Sequence, residues 1–222
     1  MRDHYPEKWG KLAEKYKMWD PVVLPPVNAG KSPSMLLMGD SISLCYAPHV
    51  KRLLGDSYAI HRIPHNGAGT LRGLQSIDAY LSAGPFDVVI FNWGLHDLVL
   101  RPDARTDKSR WNNSTPVEVY KRRLDALVSR LASGARQLVW IDTTPVAKAP
   151  RYRAADVALY NSAARQVMAA RGIAMVDLQG ATAPAGGYEF HPDGVHFTAA
   201  GCRDIGETVV AELRKLGIVG KP

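Results

Sequence analysis

Cysteine is scarce in this sequence: Cys45 and Cys202 are the only two in 222 residues, with no CxxC and no Cys/His spacing around them. That argues against a zinc ribbon and against a multi-bridge disulfide scaffold, and makes two buried free thiols the first expectation. A single disulfide is the alternative, because both cysteines fall on helical segments that a layered α/β fold would put on one face of its sheet. Long apolar runs are missing too. No stretch approaches the roughly 18 residues that cross a bilayer, so no membrane span is expected. The opening residues are charged rather than leader-like, which reads as cytoplasmic; a removed leader would leave a periplasmic or secreted origin open.

Acidic charge is the minority sign, 21 Asp and Glu against 28 Lys and Arg, for a formal net charge of +7. A basic balance invites a nucleic-acid reading, but that reading needs clustering. The basic residues are scattered, with Lys121, Arg122 and Arg123 at a helix start and Arg101, Arg105, Lys108 and Arg110 in one loop. Solvated faces explain them, or a rim that attracts anionic substrate, and no nucleic-acid partner is expected. Oligomeric state is not readable.

The chain is 46% hydrophobic, enough for one large core. Residues 1–30 combine an amphipathic run from Trp9 to Trp19 with Pro21, Pro25 and Pro26, which cannot continue a helix. They read as an N-terminal extension packed on a single domain, residues 31–222. Within that domain short apolar runs alternate with longer helical patterns, the signature of a mostly parallel sheet covered on both faces. Strands are expected at Ser34–Met38, Tyr58–Ile63, Asp87–Trp93, Gln137–Asp142 and Ile173–Asp177, and helices near 44–54, 70–83, 116–133, 153–171 and 198–216. Thr115, Pro116 and Glu118 suggest a capping box with proline at the first helical position.

Open α/β sheets bind ligands beyond the carboxyl ends of their strands. Those positions here hold Gly39-Asp40-Ser41, then His65-Asn66-Gly67-Ala68-Gly69, Gly94-Leu95-His96-Asp97, Thr143-Thr144-Pro145 and finally His191-Pro192-Asp193-Gly194-Val195-His196. A serine hydroxyl attacks an acyl carbon only if a base takes its proton, an acid orients that base and donors receive the developing oxyanion. Ser41 taken singly is a helix cap, worth about 1 kcal/mol. Asp193, three residues before His196, can hold the imidazole tautomer from the same loop. Metal binding by His191, Asp193 and His196 is the weaker reading, since no further ligand cluster accompanies them.

These blocks, in this order, resemble the SGNH/GDSL hydrolase family over about residues 34 to 216. Gly39-Asp40-Ser41-Ile42-Ser43 resembles the first block and implies Ser41 as nucleophile. Gly67 best fits the second block's oxyanion glycine, with Gly69 as fallback. Asp193 and His196, followed by Phe197-Thr198 and Gly201, resemble the closing Asp-x-x-His block. The third block departs from the family's Gly-x-Asn-Asp, because His96 stands where asparagine is usual. An imidazole N–H donates the same kind of bond, so His96 becomes the expected third oxyanion donor beside the Ser41 and Gly67 amides. Asn92 is the weaker substitute, because a strand position can be occupied by structural bonds.

The resemblance implies a three-layer α/β/α sandwich with a five-stranded parallel, flavodoxin-like sheet, and an ester hydrolase using neither cofactor nor metal. Asp40, Arg110, Trp111 and Tyr188 are the expected substrate contacts. The loops Leu98–Thr115 and Gln179–Phe190 bring arginine and aromatic side chains that suit a sugar or another polar acyl carrier. Asn92-Trp93-Gly94-Leu95-His96-Asp97 looks most like bacterial carbohydrate deacetylases, so short-chain, acetyl-type esters lead. Acyl transfer to a sugar or alcohol hydroxyl, long-chain lipase or thioesterase activity and a non-catalytic binding module are the alternatives.

Overall fold

The computed structural model describes residues 32–55, 57–102, 111–179 and 187–220. The expected N-terminal extension and Arg110 lie outside these residues. Strand β1 (Ser34–Met38) runs into helix α1 (Ser41–Leu54), then β2 (Ala59–Arg62), α2 (Thr70–Leu81) and β3 (Phe86–Phe91). A one-turn helix α3 (Leu95–Leu98) and short strands β4 (Leu100–Pro102) and β5 (Trp111–Asn113) lead to α4 (Val117–Leu131) and β6 (Ala135–Ile141). The chain closes with α5 (Ala154–Ala170), β7 (Ala174–Val176) and α6 (Ala199–Lys215).

Five strands form one sheet in the order β2-β1-β3-β6-β7, every neighbouring pair parallel. Alternate side chains of the apolar strands enter opposite layers, which is why these runs are hydrophobic throughout rather than every second residue. Met35, Leu37, Val88, Ile90, Val139 and Ile141 join the layer that holds α1 and α6. Leu36, Met38, Val89, Phe91 and Trp140 face the layer that holds α2, α4 and α5. Helix α4 shows the matching helical period, burying Tyr120, Leu124, Leu127, Val128 and Leu131 on one stripe. The expected α/β/α sandwich is therefore the fold, and the carboxyl ends of β1, β3 and β6 lie side by side.

Three local expectations need correction. Helix α1 begins at Ser41 rather than near residue 44, because Asp40 caps it by accepting from the Ile42 amide at 2.9 Å. The capping box at α4 does not form: Pro116 is the cap residue and no side chain caps the helix. The Thr115 hydroxyl is drawn instead to the buried carboxylate of Asp97. The segment from residue 98 to 115 was expected as a loop, yet β4 and β5 pair antiparallel across it, matching Leu100 with Asn113 and Pro102 with Trp111.

Candidate active site

Ser41 is the first residue of α1, and the first four amides of any helix lack intrahelical acceptors. Asp40 satisfies the Ile42 amide, and the Ser41 N–H makes no hydrogen bond among the described residues. The Ser41 hydroxyl lies 2.9 Å from His196 Nε2. On the other side of the ring, His196 Nδ1 lies 2.6 Å from Asp193 Oδ2. A proton on Nδ1, donated to Asp193, leaves Nε2 as acceptor for the Ser41 O–H.

Asp193 is held as firmly as the imidazole it orients. Its Oδ1 accepts from the amides of Val195 and His196, each at 2.9 Å. Burial alone would raise the Asp193 carboxyl, but hydrogen bonds from His196 and the two amides, together with the imidazole charge, hold it well below the usual carboxylate range. The carboxylate thus stays ionised as pH falls past its ordinary value of about 3.9, and its pairing stabilises the fold until pH drops through the depressed value.

The loop carrying this pair is closed by His191 N–H to His196 C=O at 2.8 Å and Thr198 N–H to Glu189 C=O at 3.0 Å. Gly194 makes its tight turn with φ of 71°, and a Cβ there would stand 3.0 Å from the Lys148 carbonyl carbon and oxygen. The segment after β6 braces the turn, Ala147 N–H donating to Gly194 C=O at 2.7 Å. Glycine is required twice over, by backbone angle and by close approach.

The oxyanion side differs from expectation at one residue. Gly67 does not present its amide to the site; that N–H donates to the Gly39 carbonyl at 2.8 Å, and a Cβ would meet the same oxygen at 2.7 Å. Gly67 instead lets the second loop lie flush against the nucleophile turn. The next amide, Ala68, is taken by Asn66 Oδ1 at 2.8 Å. Gly69, the fallback, makes no amide hydrogen bond among the described residues and sits against the Asp97 carboxylate. Asp97 accepts from the Thr70 amide at 2.9 Å and from the Thr70 hydroxyl at 2.6 Å, locking the third block to the start of α2.

His96 is half-buried beside Asp97, and its ring lies within electrostatic reach of Asp40. Asn92 is spent elsewhere, donating from Nδ2 to the Ile141 carbonyl at 2.7 Å.

Two expected substrate contacts are structural. Asp40 is 1% exposed and serves as the α1 cap; burial pushes its carboxyl up, while His96, the Ile42 amide, Arg62 and His196 pull the other way. Tyr188 is 5% exposed and packs edge-on against Phe197 in the α1/α6 layer, where its ring fills the core. Trp111 is exposed at 42% on the β4/β5 hairpin. Sequence reading missed Tyr152, in the segment after β6. It is half-buried, and burial raises its phenol, with Asp40 and Asp193 adding to the rise and Arg151 and Arg101 opposing it. No periodicity or motif marks such a residue.

The cysteines also correct the expectation: Cys45 and Cys202 form a disulfide, with Cα atoms 5.2 Å apart. Helices α1 and α6 pack against each other in the same layer, which brings the two thiols together across 157 residues of sequence.

Among the described residues no helix is long and apolar enough to cross a membrane. No curated protein sequence matches the chain at a significant level. The pattern of the GDSL-like lipase/acylhydrolase family matches residues 37–203. A lipase/acylhydrolase from Enterococcus faecalis superposes with a TM-score of 0.67 at 22% identity, covering 83% of this chain and 96% of its own. An acetylxylan esterase from Geobacillus stearothermophilus superposes with a TM-score of 0.65 at 18% identity, covering 82% and 94%. A second acetyl xylan esterase gives 0.63 at 16% identity, covering 80% and 98%. At these identities the structural matches speak for the fold alone, while the family match spans most of the chain. The chain belongs to the GDSL-like lipase/acylhydrolase family, and it is a carboxylic ester hydrolase on the SGNH hydrolase fold.

Proposed function

We propose that this hydrolase cleaves short-chain O-acyl esters, acetyl groups on saccharides foremost, through an acyl-serine formed on Ser41. The observation that carries the reading is the continuous chain from Ser41 Oγ through His196 to Asp193, at 2.9 and 2.6 Å. As Oγ attacks the acyl carbon, His196 Nε2 takes the hydroxyl proton and then delivers it to the departing alcohol oxygen. Water, losing its proton to the same nitrogen, attacks the acyl-serine; its breakdown frees the acid and returns the proton to Ser41. The tetrahedral oxyanion is received by the amides of Ser41 and Gly69 and by the His96 ring.

His96 carries a measurable share of that stabilisation. Replacing it with alanine should lower kcat by roughly ten to a thousandfold, the range for loss of one oxyanion donor, whereas asparagine should retain most of the rate. An alanine variant with undiminished kcat removes His96 from the hole.

The exposed Trp111 and Arg101, on the paired strands β5 and β4, offer a polar and aromatic surface suited to stacking and hydrogen bonding with a sugar. Nitrophenyl esters from acetate to palmitate, assayed beside acetylated xylan, test the substrate class. Acetate and acetylated xylan should give the highest kcat/KM. A maximum at palmitate overturns the short-chain reading and favours a lipase or thioesterase.

A further inference from the structure

Arg62, the last residue of β2, is 2% exposed, and a guanidinium so deeply buried costs several kcal/mol unless its donors are satisfied. The mechanism above gives it no role. Its partners come from two loops that meet at the candidate oxyanion hole. From the second loop, Nη1 donates to the carbonyls of Ile63 at 2.5 Å and His65 at 2.8 Å. From the nucleophile turn, Nη2 donates to the carbonyls of Gly39 and Asp40, each at 3.3 Å, and to the Ser43 hydroxyl at 2.7 Å. That hydroxyl donates in turn to the Asp40 carbonyl at 2.7 Å.

The Asp40 carbonyl belongs to the peptide whose N–H is that of Ser41. A cation bound at a peptide oxygen polarises the whole amide and makes its N–H a stronger donor, and it also fixes the plane in which that N–H points. The Gly39 carbonyl is shared with the Gly67 amide, so the same guanidinium sets the spacing between the nucleophile turn and the loop that carries Gly69.

We propose that Arg62 is a positioning residue for the oxyanion hole, acting through the Asp40–Ser41 peptide on the Ser41 amide and through the His65 carbonyl on the glycine loop. It does not touch substrate. The proposal rests on the acyl-serine reading of Ser41. A residue that positions oxyanion donors changes the binding of a tetrahedral anion and leaves ground-state binding alone. A residue that only holds the core together changes stability and the fraction of competent sites, but not turnover per competent site.

Arg62→Lys and Arg62→Met test this, the first keeping a charge without the planar fork and the second keeping bulk without charge. Competent sites are counted by fluorophosphonate labelling, and kcat, KM and inhibition by an alkyl boronic acid, which forms a tetrahedral anion on a serine, are then measured. Per labelled site, kcat should fall roughly ten- to a hundredfold with the methionine and less with the lysine. Boronate affinity should fall in step, and KM should stay within about twofold. Wild-type kcat and boronate affinity in either folded variant overturn the proposal; should the methionine variant not fold, the lysine variant decides. Ser41→Ala, measured alongside, separates the two readings. Turnover that survives in Ser41→Ala defeats the acyl-serine reading, whereas turnover lost there but unchanged in the Arg62 variants defeats only the role of Arg62.

Discussion

Replacing Ser41 with alanine should lower kcat on the order of 10⁵-fold while leaving the fold and its melting temperature nearly unchanged. The size follows from what the hydroxyl does. Without Oγ there is no acyl-enzyme, and any residual rate comes from water attacking an ester held against the oxyanion donors. The fold should tolerate the change because the α1 cap is Asp40, whose side chain takes the Ile42 amide; Ser41 loses only its bond to His196. His196→Ala should cost about as much. The double variant should be hardly worse than either single one, because nucleophile and base act as one unit whose effects do not add. Steady-state kinetics with nitrophenyl acetate on the three variants make the measurement, and fluorophosphonate should label the wild type at Ser41 alone. Loss below about a hundredfold in Ser41→Ala would assign the chemistry to another group.

The second large effect concerns the bond between Cys45 and Cys202. Cys45 lies one helical turn beyond Ser41 on α1, and Cys202 lies six residues beyond His196 near the start of α6, so the bridge ties the helix that begins at Ser41 to the helix that follows the His196 loop. Closing 157 residues of chain removes a large share of the unfolded state's freedom. Replacing both cysteines with serine should therefore cost about 2 to 5 kcal/mol, seen as a fall in Tm on the order of 10 °C. At temperatures where both proteins are folded, kcat should change only a few-fold, because α1 and α6 also pack through Tyr46, Val50, Ile205 and Val209 in a shared layer. Protein handled without reductant should show no reactive thiol on denaturation, and two after reduction. Two thiols in the unreduced protein, with an unchanged Tm on adding reductant, would mean that the bond does not form in solution.

Much of this was legible in the sequence, and for a physical reason. The strands announced themselves as short apolar runs because each is covered on both faces, and β1 was read to the residue. Ser41, Asp193 and His196 were legible as candidates because each sits in a short block, a strand-to-helix turn for the serine and a three-residue spacing for the carboxylate and imidazole, and the fold brings the three into one hydrogen-bonded row. The fold class followed from the alternation of strand and helix.

What only the tertiary structure decided depends on contacts between segments far apart in sequence. The motif favours Gly67 over Gly69; the Gly39 carbonyl, 28 residues upstream of Gly67, consumes the first amide and leaves the second. Tyr188 has the composition of a rim residue, and only the packing of Phe197 against it shows that it is core. Thr115 has the pattern of a cap, but Asp97 competes successfully for its hydroxyl. The cysteines carry no spacing signal, since their pairing comes from the packing of two helices. Arg62 looked like one of 28 scattered basic residues, and burial alone reveals a guanidinium beneath the nucleophile turn. Local chemistry and periodicity are written in the order of residues; which donor finds which acceptor is settled by the folded chain, where desolvation makes every unpaired buried group costly.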